Sequence, residues 1–289
     1  MKSIGETVVA TPAGRTPTVI HVLSRVGRSI GLLSFVACVA IPEKAGALIG
    51  GTGGDAIQAA FSSTVLFSGI EPCTAVVVGL QAVLTAGHCV DDQGVDDNGQ
   101  GSIQYGPSGA IVSVLCTNYR QFTGVYDIAV CKPASPSDTF SNSGMKFEVI
   151  QTDPSQISAD SQATLAGYGC TAANMSVPDY GTLLAGTTGI ESTSSNPANP
   201  DPNNLKIDLL TTVGGAILCQ GDSGGAAFDR EDPSTRFVIG IGMVMGKVDP
   251  TESFFVQVSD DRIRSWLQSW GDNRGIAICG VHSSATGCR

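Results

Sequence analysis

What most constrains this chain is the brevity of its apolar runs. "STVLFSG" (Ser63–Gly69), "TAVVVG" (Thr74–Gly79), "AVLTAG" (Ala82–Gly87), "AIVSVL" (Ala110–Leu115), "IAVC" (Ile128–Cys131), "QATLAGYG" (Gln162–Gly169), "LKIDLLTTV" (Leu205–Val213), "RFVIGIGMVM" (Arg236–Met245) and "SFFVQVS" (Ser253–Ser259) follow one another. Gly, Pro, Asn and Asp separate them. Short runs between turn residues predict many short strands, hence a β barrel or sandwich. Long amphipathic helices do not alternate with these runs, which disfavours a parallel sheet with crossover helices. The low charged content, 15%, and 36 glycines fit a turn-rich globular β protein rather than a disordered one.

One helix is expected, "SDDRIRSWLQSW" (Ser259–Trp270). Ser259 reads as its N-cap, with Asp260 and Asp261 in the first turn. Ile263, Trp266, Leu267 and Trp270 form one apolar stripe that packs on the β core.

The N-terminal segment reads as an export leader. Arg25 and Arg28 precede the apolar run Ile30–Ile41, which is too short to span a bilayer comfortably. Ala45-x-Ala47 follows as a small-residue cleavage site; cleavage after Ala40, or a lipobox-like reading at Cys38 weakened by Phe35, are the alternatives. Without residues 1–47 the chain keeps 11 basic and 24 acidic residues, a net charge of −13 (11 − 24). Such a chain lacks the clustered Lys and Arg that displace counterions from nucleic acid, so nucleic acid is not an expected partner. Removing the leader also removes Cys38. Cys73, Cys89, Cys116, Cys131, Cys170, Cys219, Cys279 and Cys288 remain, an even set that in an exported chain points to disulfides. With no C-x-x-C pair, and only His88 and His282 beyond the leader, zinc is not expected. The acidic loop Asp91–Gly99 reads as a solvated loop, with calcium the alternative. Ser192–Asn204 reads as an exposed loop, and Asn174–Ser176 is a formal glycosylation sequon.

"CQGDSGGAAF" (Cys219–Phe228) sets a serine among glycines. A serine hydroxyl attacks a carbonyl only with a base in hydrogen-bond reach and N–H donors for the oxyanion it creates. His88 in "LTAGHCV" is the candidate base, and Asp127 in "YDIAV" the candidate orienting carboxylate.

"TAGHC" (Thr85–Cys89), "DIAV" (Asp127–Val130) and "GDSGG" (Gly221–Gly225), in that order and 39 and 96 residues apart, resemble the motifs of the chymotrypsin/trypsin family of secreted serine peptidases. "GYG" (Gly167–Gly169) resembles that family's GWG strand end, and the resemblance covers residues 48–289. It implies an all-β fold of two six-stranded antiparallel barrels, 48–146 and 147–258, after a 1–47 leader and before a 259–289 helix and disulfide tail. It implies that Ser223 is the nucleophile, His88 the general base and acid, and Asp127 the group that fixes the imidazole. The N–H groups of Gly221 and Ser223 would form the oxyanion hole. Leu48, opening "LIGG", would become the new N-terminus whose ammonium pairs with Asp222. The glycines around it are then turn glycines; a phosphate loop would need a following Lys-Ser/Thr.

The family's substrate-pocket floor lies six residues before the nucleophile, which is Ile217 here, with Leu218 beside it and Met243 and Met245 on the neighbouring strand. This predicts a preference for apolar residues at the cleaved position; Asp249 is the nearby acid that could restore basic preference. Two features depart from the family: the Ser-Trp-Gly of that strand is missing, and so is the serine that supports the triad aspartate. The resemblance pairs Cys73 with Cys89. Proximity pairs Cys279 with Cys288 and Cys116 with Cys131, which leaves Cys170 with Cys219. The expected protein is a secreted monomer that needs no cofactor or metal, acts on proteins or peptides, and leaves the membrane once the leader is removed. A catalytically silent homologue that binds partners in the same cleft is the alternative.

Overall fold

The computed structural model describes residues 48–90, 97–105, 109–119, 127–141, 145–170, 181–193, 209–245 and 251–289, with backbone only at Leu209, Val244 and Met245. The leader with Cys38, the glycosylation sequon, Asp249, Asp91–Asp96 and most of the Ser192–Asn204 loop lie outside these residues.

The first strand, β1 (Thr52–Gly53), and a one-turn helix, α1 (Asp55–Ala60), lead into six strands. These are β2 (Thr64–Ser68), β3 (Pro72–Gly79), β4 (Ala82–Thr85), β5 (Gly99–Gln104), β6 (Ile111–Asn118) and β7 (Ala129–Pro133). They close an antiparallel barrel in the order β2-β3-β4-β7-β6-β5. The second barrel comprises β8 (Gln162–Gly167), β9 (Leu184–Ser192), β10 (Leu209–Val213), β11 (Ala226–Phe228), β12 (Val238–Met245) and β13 (Glu252–Gln257). Its ring runs β9-β10-β13-β12-β11-β8 and closes through β8–β9. Although β1 precedes the first barrel in sequence, it pairs with β9 of the second.

Alternation explains the apolar runs. Ala75 and Val77 of β3 point into the first barrel with Val65, Phe67, Val83 and Ile103. Val76 and Val78 point the other way, into a shared layer with Ile128, Val130, Tyr168, Phe228, Ile241 and Val256. Because β3 is buried on both faces, it reads as a continuous run rather than an alternating one. Each large aliphatic or aromatic side chain in that layer contributes about 1.5–3 kcal/mol on burial.

The C-terminal helix, α2 (Asp261–Asp272), corrects the N-cap expected at Ser259: Asp260 holds that position, its carboxylate accepting from the N–H groups of Arg262 and Ile263. Ser259 is buried instead and takes a hydrogen bond from the Gln257 amide at 2.8 Å. Ile263, Leu267 and Trp270 are buried as the stripe requires, and the Trp270 indole donates to Thr117 on β6 at 3.1 Å.

Among the described residues four disulfides are present: Cys73–Cys89, Cys116–Cys131, Cys170–Cys219 and Cys279–Cys288. All four pairs are those expected.

Candidate active site

Register brings the histidine and aspartate together. β4 and β7 are antiparallel, with Val83 opposite Cys131 and Thr85 opposite Ala129. The chain leaving β4 and the chain entering β7 therefore share one end of the barrel. A single 3₁₀ turn, Gly87–Cys89, sets His88 at that end, and Asn118 of β6 donates to the Gly87 carbonyl at 3.3 Å. Asp127 accepts from the His88 backbone N–H at 2.7 Å and faces Nδ1 at 2.5 Å. Both carboxylate oxygens are thus used on one residue, which fixes the ring and directs Nε2 away from Asp127. Among the described residues no hydroxyl donates to Asp127, in line with the missing support serine.

Burial opposes a charged His88, but the Asp127 hydrogen bond and the charges of Asp127 and Glu71 outweigh it and leave its pKa raised. Sequence reasoning missed Glu71. It stands in the β2–β3 turn, half-exposed, with a carboxylate oxygen 3.6 Å from His88 Nε2.

Ser223 sits in the loop entering β11, where Gly224 and Gly225 exchange backbone hydrogen bonds with Gly242 of β12. Gly224 has φ +84°, and a Cβ there would meet the Thr74 carbonyl and the Thr85 hydroxyl at 2.2 Å, so only glycine fits. The Ser223 hydroxyl donates to the Met243 carbonyl at 3.2 Å rather than to His88. The Gly221 and Ser223 N–H groups have no protein acceptor among the described residues, so both are available to a ligand oxygen.

Asp222 is fully buried. Its carboxylate accepts from the N–H groups of Gly169 at 2.8 Å and Cys219 at 2.9 Å, and from that of Leu48. Burial pushes its pKa up to about 7 against these three donors. The glycines of "GYG" make the space: a Cβ on Gly167 or Gly169 would fall 2.2 or 2.6 Å from the Asp222 carboxyl group. Leu48 is itself buried, and Ile49 forms an antiparallel bridge with Ile217. The segment expected to supply a new N-terminus therefore already lies beside Asp222, as an amide.

Of the expected pocket residues, Leu218 is buried with its side chain against Gly242, and Ile217 and Met243 are half-buried. The Met245 side chain lies outside the described residues. Cys73, His88 and Cys89 make a grouping compact enough for a metal ion, but its two sulfurs are joined as a disulfide and offer no thiolate.

A family profile described as Trypsin matches residues 48–267. No curated protein sequence matches the chain. Among solved structures, the inactive form of the Rv3671c protease superposes with a TM-score of 0.52 at 18% identity, covering 75% of this chain and 93% of that one. A serine-to-alanine mutant of Rv3671c from M. tuberculosis H37Rv, also inactive, superposes with a TM-score of 0.50 at 18% identity, covering 77% and 96%.

Proposed function

Because the chain belongs to the trypsin family, we propose that it is a secreted serine endopeptidase that cleaves after apolar residues through Ser223, His88 and Asp127. The observation that carries this reading is the His88–Asp127 pair, with Nδ1 committed to the carboxylate and Nε2 left to exchange protons. In the proposed reaction the Ser223 hydroxyl turns from the Met243 carbonyl to His88 Nε2. Its oxygen attacks the scissile carbonyl while the imidazole takes the proton. The oxyanion is held by the N–H groups of Gly221 and Ser223. The imidazolium, stabilised by Asp127, then gives its proton to the leaving amine, and water repeats the sequence on the acyl-enzyme. Residues 1–47 serve as the export leader. Cleavage after Ala47 would turn the Leu48 amide into an ammonium beside Asp222, giving that buried carboxylate a counter-charge. Ala47 is neither Lys nor Arg, so signal peptidase would suffice. The four disulfides fit an oxidising compartment, and no described helix is long and apolar enough to cross a membrane.

The second reading, a silent homologue, is favoured by two observations: the Ser223 hydroxyl bonds to Met243, and among the described residues no hydroxyl supports Asp127. A fluorophosphonate probe separates the two. The processed protein should label at Ser223 and hydrolyse a peptide substrate. The folded Ser223→Ala protein should do neither, with turnover lower by roughly six orders of magnitude. Processed protein that stays unlabelled and inert supports the silent homologue.

A further inference from the structure

Thr74 lies on β3 of the first barrel, fully buried, yet its hydrogen bonds reach the second barrel's catalytic loop. Its hydroxyl donates to the Gly221 carbonyl at 2.8 Å and accepts from the Tyr168 N–H at 3.0 Å. Its own N–H donates to the Ser223 carbonyl at 2.8 Å, and its carbonyl accepts from the Thr85 hydroxyl at 2.8 Å. One side chain thus ties together β3, the "GYG" end of β8 and the "GDSGG" loop.

The significance lies in the peptide planes around Gly221. In a trans peptide the C=O and the following N–H point in opposite directions. The Gln220 carbonyl is held by the Cys170 N–H at 2.8 Å, so the Gly221 N–H must point away from Cys170. The next plane is held through its carbonyl by the Thr74 hydroxyl and through the Asp222 N–H by the Cys219 carbonyl at 3.0 Å. Between them Gly221 has φ +94°, a conformation glycine adopts and leaves easily because no Cβ obstructs rotation. Without the Thr74 anchor that plane keeps only the single Asp222–Cys219 bond, about which it can tilt, and the Gly221 hinge lets the tilt carry its N–H off the direction shared with the Ser223 N–H. Those two N–H groups have no protein acceptor among the described residues.

We propose that Thr74 is a positioning residue, whose buried hydroxyl reaches from the first barrel to the Gly221 carbonyl and holds the oxyanion donors in line. It rests on the serine peptidase reading and touches no substrate atom itself. The bland alternative is that Thr74 only satisfies buried polar groups; it would then affect stability without affecting one reaction step more than another.

Thr74→Val keeps the shape and removes the hydroxyl, and Thr74→Ser keeps the hydroxyl and removes the methyl. Losing a direct oxyanion donor typically costs about 100- to 1000-fold in kcat, so a donor left misaligned should cost less. The expected result for T74V is a kcat lower by roughly 10- to 100-fold with KM within about twofold. Affinity for a peptide aldehyde, whose adduct carries the oxyanion, should fall in parallel. Affinity for the matching non-covalent product peptide should stay the same. T74S should recover most of kcat. If T74V does not fold, T74A replaces it: T74A and T74S both lose the methyl, and only T74S should keep kcat. A folded T74V with wild-type kcat overturns the proposal, as does an equal loss of aldehyde and product-peptide affinity, or T74A matching T74S. Fluorophosphonate labelling of the wild type is read first. If it labels and turns over, these outcomes bear on Thr74 alone; if it does neither, the peptidase reading fails and the proposal with it.

Discussion

At the scale of single residues, the charged groups that face His88 among the described residues are Asp127 on one ring nitrogen and Glu71 near the other. Both favour imidazolium, and the raised pKa moves the acidic limb of kcat/KM upward, since the free enzyme needs a neutral base. Glu71→Gln removes one charge and should move that limb to lower pH, while kcat on the alkaline side changes little. A limb that stays in place would show that Glu71 is too well solvated to act on His88. The same raised pKa has a stability consequence. The imidazolium contacts stabilise the fold below the unfolded value of 6.5 and lose that effect as pH rises through the raised folded value. A Lys or Arg head buried against Ile217 would lose hydration and gain no counter-charge from that side chain, whereas an apolar side chain gains about 25 cal/mol per Å². A positional scanning peptide library should therefore favour Ala, Val, Leu or Met at the cleaved position; a clear Arg or Lys preference would mean that Ile217 is not the pocket floor.

At the scale of elements, the disulfide Cys170–Cys219 joins the chain just after β8 to the loop before Ser223, closing a separation of 49 residues. Both partners also anchor that loop through their N–H groups, Cys170 to the Gln220 carbonyl and Cys219 to the Asp222 carboxylate. Replacing both cysteines by alanine should cost about 2–5 kcal/mol, read as a lower denaturant midpoint. It should also lower kcat under conditions where the protein is still fully folded, because the loop loses a covalent brace next to Gly221. Unchanged kcat in the folded variant would make the bridge purely a stabiliser. In α2 the Asp260 carboxylate caps the first turn and pairs with Arg262.

At the scale of the whole molecule, the chain between the barrels buries a charged cluster. Glu148 is fully buried and takes hydrogen bonds from Ser63, from Arg236 at 2.5 Å and from Arg289 at 2.8 Å. The Arg236 guanidinium lies between the rings of Phe61 and Phe228, 4.0 and 4.3 Å from their centroids. Arg236 and Arg289 also both donate to the Ala60 carbonyl at the end of α1. This cluster ties α1, the inter-barrel segment, the β11–β12 connection and the C-terminus into one unit. Glu148→Ala would leave two arginines without their shared carboxylate, a loss of about 3–5 kcal/mol for a broken buried pair. Urea unfolding should show that drop as a single transition for both barrels. A change under about 1 kcal/mol would mean that water or relaxation already satisfies the arginines.

The sequence by itself determined what depends on local pattern: the short strands, the stripe of α2 and the three motifs. Strand alternation, helical periodicity and turn chemistry act over a few residues, so they are visible in order along the chain. Tertiary structure decided what depends on neighbours distant in sequence. The sequence placed "TAGHC" and "DIAV" in order; only the β4–β7 register set His88 against Asp127. Two glycines in "GYG" looked like a strand end, and only the fold showed that their missing side chains make room for the Asp222 carboxylate. Thr74 and Glu71 carried no local sign of a role, one being a threonine in a strand and the other a charge in a turn. Their contacts come from residues that packing alone brings near, Gly221 across 147 positions and His88 at 3.6 Å.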